Sequence, residues 1–510
     1  MGWNFSLLVP RAFRHGEPAQ KPSLFLRSRQ KNTMKNIIRL LSILFLFTAC
    51  IKDFEAINTN ENAPSEVQPE LLLRQVLYGY GDAMSYEGFV AGNLLSQHFS
   101  MIDFNLFDRH ALSSPQEGGN PWPILYTALR DNETILELSR QNPAQAVYEG
   151  PALVMKAYLA MTLTDMYGDV PFSEAFSGRS TGVTKPAYDR QENIYSTIDD
   201  LLTDAVFVMN GYQGAQSLSG DILFNGDLQG WKKFANSLRL KALMKMSGPI
   251  DNDVIRDAFI FTAFTDPIID ENAENATFDF TGGPPNSFPF ATARVGIFNV
   301  FLMSETAEEI FAALNDPRVA TLYRPSSASG DFSGIINGID ATNAIVPDNF
   351  ARPGTVFREN TGDLDFNFMT AWETNFLIAE AAQRGFVGTI SAKEYYDLAV
   401  QQAFDYWNTS MPDGYLTTGP GAYNPVNGLE QIITQKWIAN IGNAYEGWAE
   451  WRRTGFPALK PVDASLNAGL YPVRMPYPSD EQALNFENYQ AAAAATDGNS
   501  VNVPVWWDLE

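Results

Sequence analysis

Apolar residues recur three and four positions apart along most of the chain beyond residue 70, the pattern of helices with one buried face. Glu70 to Tyr78 opens the first such helix, and 88–100 continues it despite Gly88 and Gly92. The next runs over 124–141, with Ile124, Leu125, Leu129, Ile135, Leu136 and Leu138 as its stripe. A longer one, 144–167, carries Val147, Val154, Tyr158 and Met161 and is stopped by Gly168 and Pro171. Further helices are predicted over 191–209, 231–246, 251–263, 299–314, 365–384, 391–408 and 429–451. Within 231–246, Lys232, Lys233, Arg239, Lys241 and Lys245 are assigned to the polar side.

Between these helices lie stretches without a period: 101–123, 264–295, 320–363 and most of 452–510. Clean strand alternation is scarce. Helices of ~15–20 residues in succession predict helical hairpins of the tetratricopeptide kind. The connections 264–295 and 320–363 are too long for a plain solenoid, and ordered loops of that length usually carry function. The expected fold is mainly α: a tetratricopeptide-like helical-hairpin scaffold with long irregular loop insertions.

Ahead of the helices the pattern differs. Leu40 to Ala49 is a short apolar run behind Lys35 and Arg39, and it ends at Cys50, the single cysteine of 510 residues. It falls short of the ~20 residues that span a bilayer and has the flanks of a secretory signal. Leu46-Phe47-Thr48-Ala49-Cys50 is similar to a bacterial lipobox, whose cysteine is acylated and begins the mature chain. The expected organisation is an upstream extension over 1–33 with Met34 as the natural start, a signal peptide over 34–49, a polar lipidated tether over 50–69 and a single helical domain over 70–510.

Charge narrows the partners. The whole chain carries −24, and residues 50–510 hold 27 basic against 58 acidic residues, a net charge of −31. That excludes the basic footprint of a nucleic-acid binder and electrostatic adhesion to anionic lipid, leaving the membrane reachable through the lipid alone. With Cys50 acylated, neither a disulfide nor a thiolate metal site can form within one chain. The 35 Phe, 20 Tyr and 10 Trp exceed what a core alone calls for and supply flat apolar platforms.

Several stretches, in order, are similar to one known family. They are the lipobox, Asp53 to Val67, Asp165-Met166-Tyr167-Gly168-Asp169-Val170-Pro171-Phe172, Lys185 to Asp189, Asn225-Gly226-Asp227 leading into Trp231 to Leu240, Asp316-Pro317-Arg318, Thr370 to Ala382, Trp448 to Gly455, Arg474-Met475-Pro476-Tyr477-Pro478 and the Val505-Trp506-Trp507-Asp508 end. Each is weak alone, and their order over about 450 residues carries the likeness. The chain resembles the SusD/RagB family of nutrient-binding outer-membrane lipoproteins of Bacteroidetes. The resemblance implies about four helical repeats, a lipid-anchored place on the outer membrane facing the exterior, and capture of a glycan or peptide. It also implies a partner, a SusC-like TonB-dependent transporter, on which the protein sits as a lid. A surface-anchored glycan hydrolase and a structural lid without ligand affinity are the rival readings.

No catalytic motif is legible. Gly178-Arg179-Ser180-Thr181-Gly182 matches the nucleophile-elbow pattern but follows a helix, and no histidine occurs after His110. His98 and His110 have no zinc-helix spacing. Glu373 and Glu380 share a helix face, as structural acids more readily than as a glycosidase pair. Asp251-Asn252-Asp253 lacks the glycine and distal acid of a calcium loop. No cofactor and no metal are expected, and no enzymatic activity. Sugar rings stack on aromatic side chains while amides and charged groups hold their hydroxyls, so the site is sought where loops mix the two. One such stretch offers Gln97, His98, Phe104, Asn105 and Trp122; another offers Asn286, Phe288 and Arg294; Trp372 and Asn375 are placed on the floor between them.

Overall fold

Pro69 fills the first turn of the first helix, where its missing N–H costs no hydrogen bond. From there one continuous helical run alternates α and π geometry: Pro69–Arg74, then π-helical Gln75–Gly79, Tyr80–Glu87, π-helical Gly88–Gly92 and Asn93–Leu95. The computed structural model describes residues 67–508 except 113–118, 251–252, 294, 341, 360–361, 363, 387, 389 and 444. The expected signal and tether, including Cys50, and the Asp251-Asn252 pair therefore lie outside the described residues.

The scaffold that follows is α1 (Trp122–Gln141), α2 (Glu149–Tyr167), α3 (Gln191–Gly211), α4 (Leu228–Met246) and α5 (Asp253–Thr265), each packed on the one before it. After an irregular middle containing α6 (Glu305–Leu314), the helices resume as α7 (Ala371–Gln383), α8 (Ala392–Tyr406), α9 (Gly428–Ala439) and α10 (Glu446–Thr454). α7 packs on α8, on α9 and back on α4, which joins the two halves. The fold is mainly helical with tetratricopeptide-like pairs, as expected.

Boundaries differ from the sequence reading where a buried strand or a cap intervenes. Among the described residues, eight short strands form four two-stranded antiparallel ribbons: β1 (Phe99–Met101) with β5 (Phe301–Met303), β2 (Val170–Pro171) with β3 (Tyr188–Asp189), β4 (Ala276–Asp279) with β8 (Asp365–Met369), and β6 (Tyr323–Arg324) with β7 (Arg352–Pro353). Residues 99–100, 301–303 and 365–369 were expected to be helical. The side chains of Phe99 to Met101 and Phe301 to Met303 are all buried, so they read as plain apolar runs. Ser304 then caps α6 by accepting the Ala307 N–H at 2.9 Å, and Thr370 caps α7 through the Glu373 N–H. The predicted helix 429–451 is two helices, with Asn440 to Tyr445 between α9 and α10. The coil expected beyond residue 452 contains Ser479–Leu484 and α11 (Phe486–Ala495).

The core is unusual in what it encloses. Trp231, Trp372, Trp437, Trp448 and Trp507 are fully buried, and so are ionic side chains from four helices. Lys241 of α4 lies 3.0 Å from Glu373 of α7 and 2.7 Å from Glu446 of α10. Lys436 of α9 reaches Glu373 at 3.4 Å and Glu450 at 3.2 Å. Arg453 bridges Glu450 and Glu380, and Lys245 meets Asp165 of α2. The assignment of Lys232, Lys241 and Lys245 to a polar face is thus corrected: all three are buried, Lys241 and Lys245 against acids of other helices and Lys232 donating to Asn210 Oδ1 at 3.0 Å. Glu373 and Glu380 are structural acids in this lattice. Burial alone would raise the carboxyl of Glu450, and Arg453 with Lys436 more than reverses this and holds it below the usual range.

Removing one member leaves the others desolvated and short of counter-charge. Glu373→Ala is expected to lower unfolding free energy by about 3–5 kcal/mol, because Lys241 and Lys436 lose a shared partner. Urea denaturation followed by circular dichroism measures this, and a loss below about 1 kcal/mol would show the lattice to be dispensable.

Candidate functional site

The loop after the first helical run concentrates backbone strain. Gln97, Phe104 and His110 all take left-handed conformations, at φ 56°, 53° and 63°. Such angles are costly for bulky side chains and persist only where the surroundings fix them. Here Asp108 does the fixing. Its buried carboxylate accepts from Ser100 Oγ (3.0 Å), the Met101 N–H (3.0 Å), Asn337 Nδ2 (2.6 Å) and the Gly338 N–H (2.7 Å). Burial nevertheless pushes its pKa up to about 6. Gly338 is itself left-handed (φ 67°), and a Cβ there would strike Val462.

Gln97 joins the same loop to a third segment. Its Oε1 accepts from the Lys460 N–H at 2.9 Å and from Thr306 Oγ1, and its Nε2 donates to Lys460 O at 2.7 Å and to the Tyr471 hydroxyl. Asn105 donates to Ile339 O at 2.6 Å. Gln97 and Asn105, read as ligand contacts, are enclosed and engaged in holding loops 97–112, 335–342 and 460–471 together. His98 is buried as well: its ring stacks on Trp437 at 4.0 Å, Nε2–H donates to Trp437 O at 2.9 Å and Nδ1 faces Ser96 Oγ at 2.7 Å. Burial outweighs that hydrogen bond and pushes its pKa down to about 3.

The remaining expected contacts divide similarly. Trp122 starts α1 inside the core, edge-on to Tyr167 at 4.8 Å, since the first turn of α1 faces α2. Phe288 is buried among Phe89, Phe280 and Phe357, and Asn286 is half-buried with its backbone closing a turn onto Thr281. Arg294 lies outside the described residues. Trp372 is fully buried against Tyr406. Asn375 borders a groove of about 530 Å³ with Phe264, Tyr395 and Gln402. Its amide is already committed to Gln402 Oε1 at 2.9 Å, and Gln402 donates in turn to Asp270 O. The two loops and the α7 floor are therefore not one ligand-facing surface; burial claims most of these side chains.

Phe104 is the exception. It is 69% exposed, the most open aromatic of this loop, on backbone pinned by its neighbours. Asp103 sits beside it and accepts the Phe104 N–H at 2.9 Å. Farther along the same loop Arg109 lies 3.9 Å from Asp340, and Arg109 Nε donates to Ala464 O at 2.8 Å. The Thr342 amide and hydroxyl, with Arg109 nearby, hold the Asp340 carboxyl below its usual range. The loop thus carries an exposed aromatic face, an exposed acid and a cation, residue types that stack on a sugar ring and bind its hydroxyls. Sequence reasoning found Phe104 and missed Asp108, Arg109 and Asp340. Three left-handed non-glycine residues in one loop would have marked it, but no side-chain pattern announces them.

Among the described residues no group of three His, Cys, Asp or Glu is placed to hold a metal ion, and no helix is long and apolar enough to cross a membrane.

His98 supplies a pH test of this architecture. The unfolded imidazole titrates near ~6.5. The folded one is held neutral, so its stabilising contribution is full above that pH and is lost as pH falls toward about 3. Between pH 7 and pH 5 the protein is expected to lose about 2 kcal/mol more stability than His98→Gln does. Denaturant titrations at the two pH values read this difference, and equal slopes would show that His98 is not held neutral.

A family model described as SusD-like, starch-binding associating with outer membrane, matches residues 61–478. Among solved structures, a chitin-binding protein is 25% identical at a TM-score of 0.74, covering 87% of this chain and 100% of its own. A SusD homologue from Bacteroides fragilis is 20% identical at a TM-score of 0.76, again over 87% and 100%. A chitin-binding SusD homologue from Flavobacterium johnsoniae is 23% identical at 0.72, over 87% and 98%. No curated protein matches. The paired helices, the interlocked loop layer and a family match that runs through both make this chain a member of the SusD-like family.

Proposed function

We propose that the protein is a cell-surface glycan-binding lipoprotein that captures an oligosaccharide at the Phe104 crest. Cys50 is its acylated first residue, 50–69 its tether, and a SusC-like TonB-dependent transporter the partner that receives the ligand beneath it. The observation that carries the reading is the exposed Phe104, on left-handed backbone beside Asp103, in the same loop that carries the Arg109–Asp340 pair. A strained, solvent-facing aromatic gains nothing for the fold, and such strain clusters at binding sites. The family's description as starch-binding and outer-membrane-associated supports a glycan as ligand and the outer membrane as location. The chitin-binding names of two structural neighbours support a neutral polysaccharide source.

The acidic chain agrees with an uncharged ligand in preference to a polyanion. Binding without turnover is also the better chemical reading. Glu373 and Glu380 are buried and paired with Lys241, Lys436 and Arg453 inside the helices, which engages the carboxylates that a glycosidase would need free.

Calorimetry with maltoheptaose and chitohexaose tests the site. Phe104→Ala is expected to weaken the bound one about tenfold, the equivalent of ~1.4 kcal/mol for one lost stacking contact, with an unchanged melting temperature. Trp122→Ala is expected to do the reverse, costing about 3–5 kcal/mol of stability. Undiminished binding in the first variant would remove the crest from the site. Absence of any glycan affinity would favour a lid without its own ligand.

The anchor is tested separately. Cys50→Ala is expected to abolish incorporation of labelled palmitate and release the protein from the cell surface. Continued labelling of that variant would sink the lipid assignment.

A further inference from the structure

The groove of about 530 Å³ that Asn375 borders runs between α5 and α8. Its walls include Phe264, Asp266, Ile268, Glu271, Tyr395 and Leu398. Residues 266–270 form one wall without regular secondary structure, and side chains of two helices hold it. From α4, Asn236 Nδ2 donates to Pro267 O at 2.8 Å, and Ser237 Oγ accepts the Ile269 N–H at 2.9 Å. From α8, Gln402 Nε2 donates to Asp270 O at 2.6 Å. A wall fixed in this way needs little ordering when a ligand arrives.

The polar groups left over in the groove are acceptors. Asn375 is 1% exposed, and its Nδ2 donates to Gln402 Oε1 at 2.9 Å and to Asp270 O at 3.4 Å. Among the described residues nothing donates to its Oδ1. That oxygen is not one of those sealed inside the core, and the little exposure the residue keeps is at the groove. Asp266 and Glu271 form no ion pair among the described residues. Burial raises the Asp266 carboxyl, and the charge of Arg239 does not reverse this. Lys233, the cation of the lining, is already taken by Glu274 and lies 3.7 Å from Asp270. A ligand that complements this set brings donors and positive charge.

The apolar surface is larger than a lone cation needs. On α5, Val254, Phe261 and Phe264 are 73%, 57% and 40% exposed, and Leu398 of α8 is 43% exposed. At roughly 100° per residue the three α5 positions share one face about 80° wide. Asp257 is exposed on the same face. The opposite positions, Ile255, Phe259 and Thr262, already pack α5 onto the scaffold, so the outer aromatics add nothing to the core. Phe264 carries the strip into the groove, where its ring meets Tyr395 edge-on at 6.4 Å. From Val254 to Phe264 the strip rises about 15 Å, the span of about four residues of extended chain. That is longer than one sugar ring or one amine, and it fits a polypeptide.

We propose that this face is the docking site for a polypeptide segment of a partner protein, one that sets an arginine or lysine in the groove and apolar residues along Val254, Phe261 and Leu398. The cationic head takes Asp266, Glu271 and the Asn375 oxygen, and its stem lies against Phe264 and Tyr395. The site does not depend on which ligand the Phe104 crest binds.

A phage-displayed library of random dodecapeptides, selected on the full chain at about 0.15 M salt, supplies the probe. Fluorescence anisotropy then measures the affinity of the best peptide. Selected sequences are expected to combine arginine or lysine with leucine, isoleucine, phenylalanine or tryptophan. Affinity is expected to fall about tenfold in the double variant Asp266→Asn, Glu271→Gln, and about fivefold in Leu398→Ser. These positions are exposed or half-buried, so the variants keep the fold. Replacing the basic residues of the peptide by glutamine is expected to cost as much as the double variant. An acidic chain attracts cations everywhere, so the control removes two exposed acids of α3, Asp200→Asn with Asp204→Asn. That control is expected to change affinity less than about twofold. Failure to select any peptide, a selected pool without basic residues, or an equal loss in the α3 control overturns the proposal. So does competition by maltoheptaose or a loss in Phe104→Ala, either of which assigns the peptide to the crest.

Discussion

The structure depends on charge placed where charge is expensive. Lys241, Lys436, Glu373, Glu446 and Glu450 meet between α4, α7, α9 and α10, with distances of 2.7–3.4 Å. Apolar packing is tolerant of small slides, because one methyl contact replaces another. A buried ammonium is not, since moving it away from its carboxylates exposes its full desolvation cost. The lattice therefore fixes how far each helix is advanced along its neighbour. It also explains why the two halves of the scaffold, separated by the long irregular middle, meet through α4 and α7.

That rigidity is passed to the loops. The β1–β5 ribbon ties the end of the first helical run to the start of α6, and Asp108 ties the next turns to the 335–340 segment. Loops without regular hydrogen bonds are usually the most mobile part of a fold. Here a carboxylate with four donors substitutes for a sheet ladder. The result is an irregular layer with few free backbone options, on which one aromatic stands exposed. Ordering such a residue beforehand lowers the entropy lost when a ligand arrives.

What was legible in the sequence follows from range. Helices α1, α2, α3 and α8 are written in nearest-turn spacing, and their limits agree closely with the stripes read from 124–141, 144–167, 191–209 and 391–408. β8 was not legible, because Phe366, Asn367, Phe368 and Met369 are all buried and lack an exposed alternate. Lys241 and Lys245 of α4 looked solvated because their acids come from helices far along the chain. The strained loop 97–112 falls within the stretch read from Gln97 to Trp122, but which of its residues face outward was not legible. Gln97 turns inward because Lys460, 363 positions away, supplies both halves of an amide pair. Trp372 and Trp122 looked available only because an aromatic in a sequence carries no sign of the helix packed over it.

The first helical run carries a consequence for the whole chain's geometry. Its two π-helical stretches, Gln75–Gly79 and Gly88–Gly92, each accommodate one residue more than an α turn would. One extra residue rotates everything downstream by roughly 100° about the axis. The run can therefore show α1 one face at its start and the β4–β8 ribbon another in Tyr80–Glu87, where Tyr80 meets Phe366 and Phe368 and Gly81 leaves room for Phe278. It works as a camshaft: a single rod whose lobes point in different directions. Evolution can retune which neighbour each lobe addresses by inserting or deleting one residue, without rebuilding either neighbour.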